Sequence, residues 1–129
     1  MTMKERADIA ANLKATGQCN CCQAVTKVLA DTTGLDETNL QKISAGFAAG
    51  MGCMEATCGA LIGANMILGL CTEGNGTVRQ SRELLSKFKE KCGAVVCKDL
   101  KGVETGKVLC ECADCVRNAV LALGEIIEF

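Results

Sequence analysis

The sequence predicts an all-α protein, a single compact bundle of about five or six helices around a buried, glycine-rich central helix. Three observations point that way. Proline, which breaks helix interiors, is absent from all 129 residues. Apolar residues recur at the three- and four-residue spacing of an amphipathic helix along most of the chain. Three Phe with no Trp or Tyr stand beside 14 Gly, which suits helices crossing closely on small residues and leaves strand signals poor.

Each element has its own signal. Thr2-Met3-Lys4-Glu5 matches a capping box and starts a helix that runs to about Thr16, where Gly17 stops it. Ile9 and Leu13 give this helix its apolar side. A second is predicted from about Cys21 to Thr33 on Val25, Val28 and Leu29, with Gly34 as its stop. Asp36 caps a third, about Glu37 to Ala49.

The run Ala56 to Cys71 carries no charge over sixteen residues, short of the roughly 20 a bilayer requires. It reads as the central buried helix, and no membrane span is expected. Gly74 and Gly76 break the chain, after which Val78, Leu85, Phe88 and Cys92 mark the inner face of a fifth helix, with Arg79, Arg82, Lys87 and Lys89 outside. Cys97 to Leu100 is a short helical turn and Gly102 to Lys107 a loop. The last helix begins near Cys112 on a Val116, Val120, Leu123, Ile127 stripe, with Glu125 and Glu128 towards solvent. Nothing resembles a linker, so residues 1–129 are expected to form one domain.

Composition narrows the chemistry. A net charge of −1 and a 2% aromatic content supply neither the basic face nor the stacking platforms that nucleic acid requires. With no His, the commonest general base, Ser-His and Cys-His nucleophile pairs, His-ligated haem and mixed Cys/His zinc fingers are excluded. Any metal must be held chiefly by sulfur. No carboxylate pair suggests hydrolysis, and no catalytic residue is assigned.

Eleven cysteines exceed what a chain of this length needs for folding, since dense disulfides belong to much shorter secreted domains. An odd number cannot pair completely within one chain, and Met1 to Arg6 leads into a polar segment without a signal-peptide pattern. A cytoplasmic location is therefore expected, where thiols stay free for metal or redox work. Several lie where a helix is predicted to begin, facing free backbone N–H groups and the positive dipole end, both of which favour the thiolate. Cys21, Cys22, Cys112 and Cys115 are the examples. Cys71 and Cys92 sit on apolar faces and read as small core residues. Cys112-x2-Cys115 fits a redox pair, a chelate or core equally. Gly46-x3-Gly50 and Gly59-x3-Gly63 permit close helix approach or access to a bound group.

These features occur in an ordered set: Asn20-Cys21-x-Gln23-Ala24-Val25, Gly46-Phe47-x2-Gly50-Met51-Gly52, Cys58-Gly59-Ala60-x2-Gly63, Cys97-x2-Leu100 and Cys112-x3-Val116. The set resembles the C_GCAxxG_C_C family of prokaryotic, domain-length redox proteins over nearly the whole chain. The resemblance implies that Cys21, Cys58, Cys97 and Cys112 are the functional cysteines, and the spacing of Gly59 and Gly63 makes these the glycines expected beside a bound group. It implies redox activity or cluster binding without fixing a substrate. Seven further cysteines (Cys19, Cys22, Cys53, Cys71, Cys92, Cys110, Cys115) depart from the pattern and leave room for a second metal site. No C-x-x-C-H haem sequence is present.

The leading expectation is an electron carrier or redox sensor, rather than a stand-alone enzyme, in which these four thiolates hold an iron–sulfur cluster. The alternatives are a thiol–disulfide protein using pairs such as Cys112/Cys115, a four-thiolate zinc or metal-storage protein, and no metal at all. A redox partner protein is expected, and the small-residue helices also suit a homodimer.

Overall fold

The computed structural model describes residues 1–127; Glu128, expected to face solvent, lies outside the described residues. α1 (Met3–Ala15) opens on the expected capping box, with the Thr2 hydroxyl accepting from the Glu5 N–H and the Glu5 carboxylate from the Thr2 N–H, both at 3.1 Å. α2 (Cys21–Leu29) opens on a second box, Asn20 with Gln23, then tightens into a 3-10 turn over Ala30–Thr32. α3 (Glu37–Ser44) is capped by Asp36. α4 (Gly59–Thr72), α5 (Thr77–Cys92), the single-turn α6 (Cys97–Lys101) and α7 (Cys112–Gly124) complete the set.

α4 is the buried central helix, with Gly59, Ala60, Leu61, Gly63, Ala64, Ile67 and Leu68 packed against α2, α5 and α7. α7 also packs on α1, and buries Val116, Val120 and Leu123 as its stripe requires. Ile127 is half-buried, past the helix end at Gly124. Among the described residues, no helix is long and apolar enough to cross a membrane.

Three details differ from expectation. α3 stops at Ser44, and Gly50–Met54 forms a π-helical turn in which Met51 and Gly52 leave helical geometry. The inner face of α1 is alanine, Ala7, Ala10 and Ala11, while Ile9 is 43% exposed. Alanine lets α1 approach α7 closely, and the longer Ile9 is left at the edge. On α5 the buried line is Leu84, Phe88 and Cys92, with Val78 85% exposed. At 3.6 residues per turn, Leu84 and Cys92 lie about 40° either side of Phe88, while Leu85 and Val78 lie about 60° and 80° away.

Candidate functional site

The four cysteines singled out above all occupy the start of a helix. Cys21, Cys97 and Cys112 are the first residues of α2, α6 and α7, and Cys58 is the N-cap of α4. They line one apolar cavity of about 290 Å³, together with Lys14, Asn20, Ala48, Ala49, Met54, Gly59, Lys101 and Cys115. That is far more room than the roughly 30 Å³ share of one water.

Local backbone bonds explain the convergence. An isolated antiparallel bridge joins Thr57 to Val96. The Cys58 N–H donates to Val95 O at 2.8 Å and the Cys97 N–H to Ala56 O at 3.0 Å, so the starts of α4 and α6 are pinned side by side. Asn20 fixes the start of α2 through its capping box and donates its amide to Ala45 O at 3.0 Å, tying Cys21 to the 45–54 segment. Gly59 is where α2 meets that segment: a Cβ there would lie 2.7 Å from both the Cys21 Sγ and the Phe47 carbonyl. Gly63, one turn on, sits at the α2–α4 crossing instead, where a Cβ would meet Cys22 O at 2.9 Å.

The 45–54 segment is strained. Ala49, Met51 and Met54 have φ of 53°, 60° and 65°, left-handed geometry that costs a side-chain-bearing residue about 1–2 kcal/mol. Ala49 and Met54 line the cavity, and the Ala49 N–H donates to the Cys21 sulfur. Strain retained next to convergent thiols is a mark of a functional site.

Burial sets the electrostatics. It raises the pKa of Cys21, against the Ala49 N–H, and of Cys97, where neighbouring Cys58 adds to the effect. It pushes Cys22, behind the cavity, up to about 12. Cys58 goes the other way, to about 7, because the Cys115 thiol donates to it and the Ala60 and Leu61 N–H groups add to this. Lys14 and Lys101 are the cations of the lining; burial opposes the charge of Lys101, but the Cys112 sulfur it bonds, with Cys115 and Cys58 nearby, outweighs burial and holds its pKa up. Four thiolates together need more positive charge than two ammoniums provide. The donor set and the room therefore fit a soft cationic group.

A second sulfur cluster adjoins the first. Cys92, Cys110 and Cys115 are buried with their sulfurs all within 4.8 Å of one another, a grouping able to hold a metal ion. Cys115 joins the two clusters. Its pKa is raised because its thiol donates to Cys58 and Cys92, and Cys92 is lowered to about 6 chiefly by that donation. One thiol carries one proton, so Cys115 serves these two sulfurs in turn rather than together. Cys92 has a further donor in the Asn118 amide at 3.4 Å. Burial pushes Cys110 up to about 11.

Cys92 is buried in the core as its apolar face predicts, and its sulfur partners add a second possibility there. Cys110 stands out in the sequence only as one of seven extra cysteines, and Lys101 and Asn118 carry no signal that marks them. The pairing of the α5 end with α7 spans 18 residues or more of chain and leaves no local pattern. Of the other extras, Cys53 is exposed, Cys19 and Cys71 are half-buried, and Cys71 donates to Thr32 O at 3.7 Å.

A family model described as "Putative redox-active protein (C_GCAxxG_C_C)" matches residues 19–126. No curated protein and no solved structure matches the chain.

Proposed function

Because the chain belongs to the C_GCAxxG_C_C family, we propose that it is a redox protein whose Cys21, Cys58, Cys97 and Cys112 thiolates hold an iron–sulfur cluster, acting in electron transfer to a partner protein. One observation carries this reading: four thiols from four separate helix starts line a single apolar cavity beside the half-buried Lys101. Four sulfur ligands are what such clusters require, and no histidine is present to substitute. Bound there, the cluster would supply one-electron chemistry.

The residues of this chain set its conditions. Amide N–H groups at the starts of α2 and α4 donate towards Cys21 and Cys58, stabilising the anionic sulfurs. The Cys115 thiol donates to Cys58 from the protein side. Lys101 offsets part of the negative charge and favours the more reduced state. Ala48, Ala49 and Met54 keep the cavity wall apolar, and so limit water at the sulfurs. The absent side chain of Gly59 leaves Cys21 room to turn inward. Exchange with a partner's disulfide through Cys112/Cys115 would have to start at the half-buried Cys112, since Cys115 is fully buried, and it leaves the convergence of Cys21, Cys58 and Cys97 unused, which places that alternative second.

The test is anaerobic purification of the full chain, followed by iron and acid-labile sulfide analysis and visible absorption. Iron and sulfide in comparable amounts with a charge-transfer band are expected, lost in Cys21→Ala and Cys97→Ala and kept in Cys92→Ala. A colourless, iron-free protein sinks the proposal. Zinc in place of iron, with no sulfide under iron-replete expression, favours the four-thiolate zinc reading instead.

A further inference from the structure

Cys92 is the last residue of α5, Cys110 lies in the loop ahead of α7 and Cys115 is in the first turn of α7. They are 4%, 9% and 0% exposed, and every pair of sulfurs is within 4.8 Å. A metal–sulfur bond of about 2.3 Å sets the sulfurs of a trigonal or tetrahedral centre about 4 Å apart. Small side-chain rotations close the difference.

The surroundings are polar in a way an apolar core does not require. Asn118, one turn along α7 from Cys115, aims its Nδ2 at Cys92 Sγ at 3.4 Å and at Cys110 Sγ at 3.9 Å. An amide that offers N–H groups to two sulfurs at once is the outer shell that metal-bound thiolates use. The Lys101 ammonium lies 3.5 Å from Cys110 O. Gly93, at φ +94°, ends α5 directly after Cys92 and turns the chain away in a conformation that side-chain-bearing residues rarely adopt.

Donor number and burial select the ion. The group offers three sulfurs, from residues each 9% exposed or less, so the protein itself supplies three donors and not four. Zinc is almost always four-coordinate in protein structural sites, whereas a soft d10 monovalent ion is satisfied by three thiolates, the donor type it prefers.

We propose that Cys92, Cys110 and Cys115 form a three-coordinate thiolate site for a soft monovalent cation of the copper(I) class, with Asn118 as its positioning residue. Binding displaces thiol protons to solvent and involves no electron transfer. The site uses none of the four cysteines assigned to the cluster; ion binding removes the proton that Cys115 otherwise donates to Cys58, but the two assignments are tested separately.

The experiment titrates copper(I) anaerobically into reduced, metal-free protein in competition with a chromophoric copper(I) chelator. The C21A/C97A/C112A chain is expected to take up one copper(I), with only sulfur neighbours in X-ray absorption. Adding C92A/C110A should abolish that uptake. N118L should weaken it about 10- to 100-fold while circular dichroism stays unchanged. Should the triple variant not fold, the wild-type chain is compared with C92A/C110A, and a loss of one copper(I) per chain is expected. Uptake indifferent to C92A/C110A, or a folded triple variant that takes up none, overturns the proposal. Iron and sulfide content of the wild-type protein reports on the other site alone, so failure of either assignment is recognised separately.

Discussion

Gly59 is the residue on which the geometry of the cavity turns, because its missing Cβ leaves space for the Cys21 sulfur and the Phe47 carbonyl together. A sulfur can rotate out of the way of a methyl group; a carbonyl held in a strained segment cannot. Gly59→Ala is expected to lower stability by about 1–3 kcal/mol, the usual cost of overpacking, and, with the proposed cluster at this cavity, to lower iron content. Gly69→Ala in the same helix meets nothing within 4 Å and should stabilise by about 0.5–1 kcal/mol. Urea unfolding of the pair, with iron content, checks both; equal effects from the two would refute the argument. At the other end of the molecule, Arg6 is largely buried and donates to Asp31 Oδ1 at 2.6 Å and Oδ2 at 3.0 Å, as well as to Val28 O. The guanidinium hydrogen bonds hold the Asp31 carboxyl below the usual carboxylate range. A depressed folded-state pKa contributes stability that is complete above about pH 4, the unfolded value, and is lost as pH falls through the folded one. Because the Asp31 side chain is 69% exposed, solvent screening reduces the pair to about 1 kcal/mol. Asp31→Ala should therefore cost about that much at pH 7 and remove part of the acid sensitivity. A wild-type stability curve that stays flat from pH 5 to pH 2 would contradict this.

At the scale of elements, legibility followed the range of the signal. Thr2–Glu5 and Asp36 announce their helices because a cap is a three-residue relation, and both bonds are present. The uncharged run 56–71 gives the central helix, since burial on all sides leaves no polar face to interrupt it. The third helix fails at Ser44 because the next residues answer to a distant constraint: Ala45 O accepts from Asn20 and the Ala49 N–H serves Cys21. Propensity favoured helix there, and the tertiary contacts prevailed at the expense of three left-handed residues. The same distinction runs through the candidate site. The family resemblance picked Cys21, Cys58, Cys97 and Cys112, and the fold brings them to one cavity. The thiols of Cys92 and Cys110, and the Lys101 and Asn118 side chains, acquire meaning only through packing of α5 and the 97–110 segment against α7, which a single sequence does not display.

For the whole molecule, the sulfur sites lie at helix ends within the hydrophobic core, where Cys21, Cys58, Cys92, Cys110 and Cys115 are packed. Most of the fully buried large side chains, Val25, Leu29, Ile67, Leu68, Leu84, Phe88, Val116, Val120 and Leu123, belong to α2, α4, α5 and α7, with Leu40 on α3 and Leu100 on α6, and α1 closes the bundle with alanines. Residues 45–57 bury Gly50 alone, and between 93 and 111 the buried side chains are chiefly Cys97, Leu100 and Cys110. A zinc finger has no core without its metal and unfolds when the metal is removed; here the bundle has a core that the thiols adjoin without supplying most of it. Stripping metal from the reduced protein should accordingly leave the helical circular dichroism nearly intact. It should also accelerate amide hydrogen exchange in residues 45–57 and 93–111 and lower the melting temperature, because ligands that bind only the folded state stabilise it in proportion to the logarithm of their concentration over Kd. Exchange that quickens equally in α4 and α7, or collapse of the helical signal on chelation, would mean that the thiol sites hold up the core rather than resting on it.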